Sequence, residues 1–572
     1  MFKKSLIALT VIAATQLTAC GSSSDNDAPV TPVNAAPTDI TLSANVVAER
    51  AKGSEIGTLS ATDGDSGETF TFTTSTDGFV IDGTTLSLAP GIALDFEVAA
   101  TASVEVTVTD SASNTFTKTL DITVEDVQEV YAFSNNDDSV SYSGQIARHL
   151  IIAELNNYIN NQLDADVDNG VFETADDVIT KLNSFFETAN DTEYALRWEN
   201  EALTVSTLST PVQTVLTEVS NTNKDLVSKI AGNDAKGQHK DWNTEGFVAF
   251  ETETYQSPEA LIRWYFAQIA ANVETEINGS QRTDVNGDVI TKVYIGENGL
   301  DYKQLIQKTL LGTVAFSQGA DDYLGSDVED KGLLTDNTTI LDGKNYTNLE
   351  HQFDEGFGYF GAARDYLLYT DEEIAAKGGR DTHQGMFDSN ADGEIDFNSE
   401  YNFGHSQNAA KRDINTAGNT NPTDFTELAM RGFIEGRALI NANVGSALTE
   451  EQMTELNGYA QQAILNWEKS IAATAVHYIN DTTADLEKFG TEEFSFTDVA
   501  KHWSELKGFV ISLQFNPDSP LSDAEHAAVN DLIGDAPVLV EANVAAYIAD
   551  LATARTKLQQ AYEFDEENVA NW

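Results

Sequence analysis

The period of the apolar residues changes once along this chain, near residue 127. Before that point, short alternating runs rich in Thr, Val and Ile occur at 69–73, 104–108 and 120–124. Alternation with a period of two is typical of half-buried strands. Because such runs recur within about ninety residues, we expect residues 37–126 to form a small all-β sandwich.

After residue 127, apolar side chains recur at spacings of three and four residues as far as the C-terminus. This spacing collects them on one face of a helix, so we expect a large all-α domain with bundle-like packing over residues 131–572. The expected fold class is multidomain, with a small all-β sandwich followed by an all-α helical bundle. The predicted helices are 146–163, 211–230, 258–273, 302–316, 349–369, 424–443, 450–479, 497–513 and 538–562.

The first twenty residues have the pattern of a secretion signal. Two lysines precede an apolar run, which ends in Leu17-Thr18-Ala19-Cys20. This ending resembles the lipobox of bacterial lipoproteins. The resemblance implies a lipoprotein signal peptide at 1–19 and a lipid on Cys20. It also implies anchoring in the bacterial outer membrane, because Gly21 rather than an aspartate follows the cysteine.

Residues 20–36 are rich in Ser, Asp, Pro and Ala, and we expect them to form a flexible tether. Cys20 is the only cysteine, so the sequence offers no disulfide framework, no cysteine metal ligands and no cysteine nucleophile. No later apolar run is long enough to span a bilayer. We therefore expect a protein that is anchored to the membrane and not embedded in it.

The net charge of the chain limits the classes of partner that it can bind. The formal net charge is −60, from 92 Asp and Glu against 32 Lys and Arg. Such a surface repels DNA, RNA and anionic lipid, so nucleic acid is excluded as a partner. The same surface suits divalent cations.

One stretch, 388–400, carries oxygen-bearing side chains at every second position, with a glycine at 393 and an isoleucine at 395. This is the spacing of an EF-hand-type calcium loop, in which alternate oxygens converge on one cation. The bidentate acid belongs at the twelfth position, Ser399, whereas Glu400 comes one residue later. We predict a structural calcium site; the alternative is a polar turn without an ion. The predicted ligands are Asp388, Asn390, Asp392, Glu394, Asp396 and Glu400.

The β region resembles a cadherin-like repeat. The resemblance is carried by GTLSATDGD at 57–65, LDFE at 94–97 and VTVTD at 106–110. It implies calcium ligands at Glu49, Asp63, Asp65, Asp95, Glu97, Asp110 and Asp126. Cadherin ions lie between successive repeats, and this sequence has one recognisable repeat, so the ligand set would need partners from the next domain.

Histidines and acidic residues share helix faces at two places in the helical part, with spacings of i, i+3 and i+4 or of i and i+3. Imidazoles and carboxylates that project from facing helices build transition-metal sites, here for iron or zinc. The alternative is that these side chains form buried polar pairs and surface ion pairs. The predicted metal ligands are His351, Asp354, Glu355, His502 and Glu505, with His477, on a third helix that we expect to be buried, as an outer or additional ligand.

Several motifs resemble one uncharacterised family of bacterial lipoproteins, namely SYSGQ at 141–145, segments 350–360 and 399–413, and HWSELKGF at 502–509. The resemblance spans nearly all of 131–572 and implies no activity, because the family has none established. A looser similarity is to the imelysin-like proteins, helical surface proteins associated with iron uptake. Their Gly-x-His-x-x-Glu marker aligns on His351, with Leu349 and Asp354 replacing the glycine and the glutamate.

These observations favour a binding protein over an enzyme. The sequence has no zinc-peptidase, nucleophile-elbow, P-loop or dinucleotide-binding motif, and no catalytic residue stands out. The leading hypothesis is a surface lipoprotein that binds calcium structurally and captures a metal ion or a metal-bearing ligand. The alternatives are a calcium-dependent adhesion or scaffold module that binds a protein or glycan and, ranked last, a metal-dependent hydrolase.

Overall fold

Eight β-strands form the N-terminal part of the computed structural model, which describes residues 34–96, 98–187, 203–204, 213–234, 236–244, 246–251 and 256–572. They make two four-stranded sheets, with the orders β1-β3-β6-β5 and β2-β8-β7-β4. The predicted strand runs overlap β4 and lie within β7 and β8. The strands are β1 (Asp39–Leu42), β2 (Val46–Ala48), β3 (Glu55–Thr62), β4 (Thr71–Thr74), β5 (Phe79–Asp82), β6 (Thr85–Leu88), β7 (Thr101–Thr109) and β8 (Thr115–Glu125).

The alternation in β7 shows why these residues form a sheet. β7 pairs antiparallel with β8, in a register that runs from Thr101 opposite Thr123 to Thr109 opposite Thr115. Val104, Val106 and Val108 are fully buried, while the residues between them are at least partly accessible. Successive side chains of a strand point to opposite faces, so the period of two buries one face of the sheet.

Fifteen α-helices follow in the part of the chain that the structure describes, so a large helical region succeeds a small β-sheet region, as predicted. They are α1 (Ser143–Asn161), α2 (Leu163–Asp168), α3 (Ala175–Phe186), α4 (Leu216–Val219), α5 (Pro258–Ile277), α6 (Tyr302–Leu310), α7 (Asn348–Phe360), α8 (Asp371–Ile374), α9 (Gly404–Thr416), α10 (Phe425–Ala442), α11 (Glu450–Leu486), α12 (Phe496–Ser512), α13 (Asp523–Ile533), α14 (Glu541–Tyr562) and α15 (Glu566–Asn571). A π-helix (Leu311–Tyr323) continues α6, and two short 3-10 helices cover Gly332–Leu334 and Tyr366–Leu368.

Two predicted helices end earlier than expected. The helix predicted at 349–369 ends at Phe360, because Gly361 adopts a left-handed conformation with φ of 79° and closes the helix. Of the helix predicted at 211–230, residues 211–212 lie outside the described residues, and only Leu216–Val219 is helical in the remainder. The Ser, Thr, Asn and Asp side chains that follow favour turns, because they compete for backbone hydrogen bonds.

The 37-residue helix α11 is the central element of the helical region. A capping box of Thr449 and Gln452 starts it, and it packs against α9, α10, α12, α14 and α15. Trp467 and Ile471 on this helix are fully buried. None of the helices in the described ranges combines the length and the apolar character needed to cross a membrane.

The chain divides into two compact units. The first comprises the described residues within Met1–Val47, Ser54–Ala89 and Phe96–Val124, and the second comprises Ala48–Gly53, Pro90–Asp95 and the described residues of Glu125–Trp572. The acidic loop 388–400 and all six predicted metal ligands therefore lie in the second unit.

Candidate functional site

The loop 388–400 folds around its own oxygen-bearing side chains. The Asp388 carboxylate accepts hydrogen bonds from the backbone N–H groups of Asp392 at 3.1 Å and Gly393 at 2.8 Å. Asn390 Oδ1 accepts from the N–H of Asp392 at 2.8 Å, and Asp392 Oδ1 accepts from the N–H of Glu394 at 2.9 Å. Gly393 has a φ of 91°, a conformation that favours glycine. Alternate side chains are thus held within one tight turn.

Glu400 closes this loop. Its side chain is buried, with 1% of the residue exposed, and its Oε1 accepts from the N–H groups of Ser389 at 2.9 Å and Asn390 at 3.2 Å. Its Oε2 accepts from the N–H of Asp396 at 2.9 Å. The acid that comes one residue late in the sequence therefore joins both ends of the loop. The Ser389 hydroxyl also donates to Oε1 at 2.9 Å, whereas Oε2 accepts one hydrogen bond and keeps a lone pair for a further partner.

The three polar residues predicted to share one face of α7 are separated. Asp354 is fully buried and accepts from Arg437 Nε at 2.8 Å, from the Tyr131 hydroxyl at 2.8 Å and from the Ser141 N–H at 3.0 Å. Burial raises the pKa of Asp354, and the Arg437 guanidinium opposes that increase. Asp354 is thus the partner of a buried arginine.

Arg437 also binds Glu350, which makes a buried cluster that the sequence reasoning missed. Arg437 NH1 donates to Glu350 Oε1 at 2.7 Å, and neither side chain has any exposed surface. Glu350 Oε2 accepts from the Thr347 N–H at 2.8 Å, as part of the capping box of α7. The available signal was the position of Arg437 in α10, where it lies among apolar residues at helical spacing.

His351 and Glu355, in contrast, line an open pocket. His351 Nδ1 donates to the backbone carbonyl of Ser141 at 3.0 Å, which leaves Nε2 3.9 Å from Glu355 Oε1. The pocket has a volume of about 320 Å³. Its other charged lining residues are Arg148, Lys224, Lys229 and Lys344.

The two other predicted histidines meet between α11 and α12. His502 Nδ1 is 2.7 Å from Asp485 Oδ2, so it donates to that carboxylate. His502 Nε2 and His477 Nε2 lie 4.0 Å and 3.4 Å from the same atom, Asp481 Oδ2. Burial, helped by the Arg412 charge, lowers the pKa of His477 to about 3, and burial raises the pKa of Asp481.

Glu505 lies close to a different partner. Its Oε1 is 3.4 Å from Lys308 Nζ, and only 4% of the residue is exposed. The sequence reasoning missed Asp481 and Asp485, although they follow His477 at i+4 and i+8 and therefore share its helix face.

The contacts of His351 and His502 do not overlap. His351 contacts Ser141, Tyr346 and Glu355, whereas the polar contacts of His502 are with Asp481 and Asp485. In the described ranges, no group of three or more His, Cys, Asp and Glu side chains is already gathered into a metal site, so an ion at the loop 388–400 or between α11 and α12 would have to draw its ligands together. The predicted metal ligands thus occupy four separate environments: Asp354 beside Arg437, His351 and Glu355 in the pocket, His477 and His502 beside Asp481, and Glu505 beside Lys308.

The calcium ligands implied by the cadherin-like resemblance are divided between the two units. Asp63, Asp65 and Asp110 belong to the first unit, and Glu49, Asp95 and Asp126 belong to the second. Glu97 lies outside the described residues, as do Cys20, the predicted signal peptide at 1–19 and residues 20–33 of the predicted tether. Asp110 is buried and accepts from the N–H groups of Ala112 at 2.9 Å and Asn114 at 2.7 Å, which stabilises the turn after β7.

The fold and the site thus define a chain with a small β-sheet region, a large helical region and an acidic loop closed by a buried glutamate. Residues 128–374 match the model of a family described as a domain of unknown function (DUF4856). This match confirms a resemblance to an uncharacterised family for that segment. The segment contains the pocket, and it contains Glu350 and Asp354, the two α7 residues that bind Arg437. The loop 388–400, His477 and His502 lie beyond it. No curated protein matches the chain.

Proposed function

We propose that this chain is a bacterial outer-membrane lipoprotein, anchored through a lipid on Cys20, whose loop 388–400 binds calcium in a structural role. Its β region would be a cadherin-like sandwich. The observation that carries the calcium proposal is the buried Glu400 carboxylate, which joins both ends of an oxygen-rich loop.

The chemistry of the loop suits a hard divalent cation. Its predicted ligands are carboxylate and amide oxygens, the donors that calcium prefers. Five carboxylates within thirteen residues also repel one another, and a bound cation converts that repulsion into attraction. The loop follows α8 and precedes α9 without forming a helix–loop–helix pair with a second loop. We therefore propose that calcium orders this segment and does not act as a signal.

Calcium is expected to raise the free energy of unfolding by about 2.7 kcal/mol when its concentration is a hundred times the dissociation constant. Asp392→Ala should abolish this increase, because it removes an oxygen from the fifth position of the loop. The measurement is thermal and urea unfolding of the soluble chain in calcium and in EDTA.

Asp284→Ala is the matched control. Asp284 Oδ1 accepts from the N–H groups of Asn286 at 2.8 Å and Asp288 at 3.0 Å, so it heads an acidic turn of similar local geometry that is too short to surround an ion. This variant should keep the full calcium effect. A wild-type chain with equal stability in calcium and EDTA, or an Asp392→Ala variant that keeps the increase, would disprove the proposal.

A second candidate function is the capture of a transition-metal ion, or of a ligand that carries one, between α11 and α12. The specific observation is the orientation of His502, whose Nδ1–H is held by Asp485 so that Nε2 faces Asp481. A carboxylate that orients a histidine in this way is a common outer partner of metal ligands. The lowered pKa of His477 keeps its imidazole neutral, which is the form that binds a metal.

Zinc or ferrous iron is expected to bind this site, with His477→Ala and His502→Ala each weakening binding at least tenfold because each removes a nitrogen ligand. Isothermal titration of the metal-free chain measures the affinity. His351→Ala is the control, since His351 shares no contact with His502, and it should bind as the wild type does. Loss of binding in His351→Ala alone would support the site predicted around α7, and a wild-type chain that binds neither metal would refute both.

A further inference from the structure

The pocket that contains His351 has a charge opposite to that of the whole chain. Its lining includes four basic side chains, Arg148, Lys224, Lys229 and Lys344, and one carboxylate, Glu355. Lys229 is itself paired with Asp234, which leaves three basic side chains to act on a ligand. The chain as a whole carries a formal charge of −60, with only 32 basic residues against 92 acidic ones. A local excess of positive charge on such a chain attracts anions, which the net negative charge of the rest of the chain repels.

Two of these cations lie close together in the pocket, since a Cβ atom at Gly144 would be 2.9 Å from Lys224 Cε and 3.5 Å from Arg148 NH1. Arg148 is mostly buried, and its guanidinium donates to the backbone carbonyls of Asp225 at 2.9 Å and Gly144 at 3.2 Å. Burial, followed by the charge of Arg148, lowers the pKa of Lys224. Like charges at close range are unfavourable, and a bound anion would relieve that repulsion.

The N-terminus of α1 adds to this electrostatic preference. Tyr142, Ser143 and Gly144 line the pocket, and no side chain caps this end of the 19-residue helix. The first N–H groups of a helix carry a partial positive charge and favour anions. The helix end and the three remaining basic side chains, Arg148, Lys224 and Lys344, therefore act in the same direction.

The uncharged and acidic residues that line the pocket favour a ligand that carries hydroxyl groups as well as an acid group. Tyr346 stacks on the His351 ring, with centroids 4.7 Å apart and planes at 26°, and both rings line the pocket. Glu355 accepts from Gln145 Nε2 at 2.8 Å and can accept hydroxyl groups as well. A carboxylate opposes a simple inorganic anion but suits a ligand with hydroxyl donors. Tyr346 is itself buried, so the ring surface that a sugar can contact is mainly that of His351, 27% of whose side chain is exposed.

We propose that this pocket binds an acidic sugar, with its carboxylate or sulfate group held by Arg148, Lys224 and Lys344 and its hydroxyl groups held by Glu355. The site is independent of the calcium loop and of the His477–His502 pair. All of its lining residues fall between Ser141 and Glu355, inside the segment that matches the domain of unknown function.

The experiment is isothermal titration of the soluble chain with digalacturonate, a sulfated galactose disaccharide, neutral galactobiose and inorganic phosphate. Digalacturonate or the sulfated disaccharide should bind, the neutral disaccharide should bind at least tenfold more weakly, and the affinity should fall as salt rises. The double variant Lys224→Gln/Lys344→Gln should weaken binding of the acidic disaccharide at least tenfold. Binding should persist in EDTA, which separates this site from the calcium proposal.

Two variants keep the result interpretable. Lys292→Gln removes the same charge from a half-exposed lysine outside the pocket, and this variant should bind as the wild type does. The melting temperature of each variant confirms that it is folded. Glu355→Gln should strengthen phosphate more than the acidic disaccharide, because both anions lose a repulsive charge but only the sugar loses hydroxyl contacts to a carboxylate. Equal binding of the neutral and acidic disaccharides, no binding of either acidic one, preferential binding of phosphate, or full binding by the double variant would overturn the proposal.

Discussion

Arg437→Met is expected to lower the free energy of unfolding of the helical unit by about 3–5 kcal/mol, the usual cost of removing one partner from a buried ion pair. Arg437 lies between Glu350 and Asp354, and none of the three side chains has exposed surface. Methionine fills a similar volume, so the variant isolates the loss of charge and hydrogen bonds from the loss of packing.

The size of this effect follows from the two carboxylates that remain. Without the guanidinium, Glu350 and Asp354 would be buried acids with one fewer donor each, and burial already raises the pKa of Asp354. Each must then take up a proton or remain charged in a medium of low polarity, and either outcome costs free energy. Urea unfolding at neutral pH, followed by tryptophan fluorescence, measures the loss.

Arg263→Met is a matched control with the same number of acidic partners. Arg263 binds Glu187 at 2.6 Å and Glu259 at 2.7 Å, but 36% of its side chain is exposed. Exposed pairs contribute about 0–1 kcal/mol, because water and salt screen them. The expected difference between the two arginine variants is therefore several-fold. Similar losses in both would show that burial is not what makes the Arg437 cluster important.

Gly432→Ala is expected to destabilise the helical unit by about 1–3 kcal/mol through overpacking. A Cβ atom at this position of α10 would lie 2.6 Å from the backbone nitrogen of Ala463 and 2.6 Å from the backbone oxygen of Tyr459, both on α11. Backbone atoms cannot rotate away, so the two helices would have to separate. The free energy of unfolding from urea denaturation is the measurement.

Gly458→Ala tests the same substitution where space is open. Gly458 is an exposed residue in the interior of α11, and a Cβ atom there would meet nothing within 4 Å. Because alanine loses less backbone freedom than glycine on folding, this variant should be more stable by about 0.5–1 kcal/mol. The two substitutions should thus have opposite signs, and a loss of stability in both would contradict the role of the close α10–α11 contact.

The apolar period predicted most of the long helices because their stability comes from burying one face. Helices α5, α10 and α12 begin within a residue of the predicted starts, and α11 continues through Leu486 beyond the predicted end at 479. Helix α9 was missed. Its buried residues include His405, Arg412 and Asp413, so the stripe that faces the interior is largely polar and the apolar period is weak.

The loop 388–400 was predictable in its geometry because its hydrogen bonds are local. Asp388, Asn390 and Asp392 bond to backbone groups two to five residues away, and Glu400 reaches back across the same loop. Spacing along the chain therefore specifies which groups can meet. Calcium binding itself stays a prediction, to be tested by the unfolding experiment.

The sequence by itself determined that a small β region precedes a large helical region, and it placed Glu400 among the expected ligands of the loop 388–400. Only the tertiary structure decided the surroundings of Asp354 and Glu355. These residues are adjacent in α7, but consecutive side chains of a helix differ by about 100° around its axis. One therefore faces Arg437 in the interior and the other faces the basic pocket, because different helices lie in the two directions. Spacing along one helix cannot specify which distant element supplies the partner.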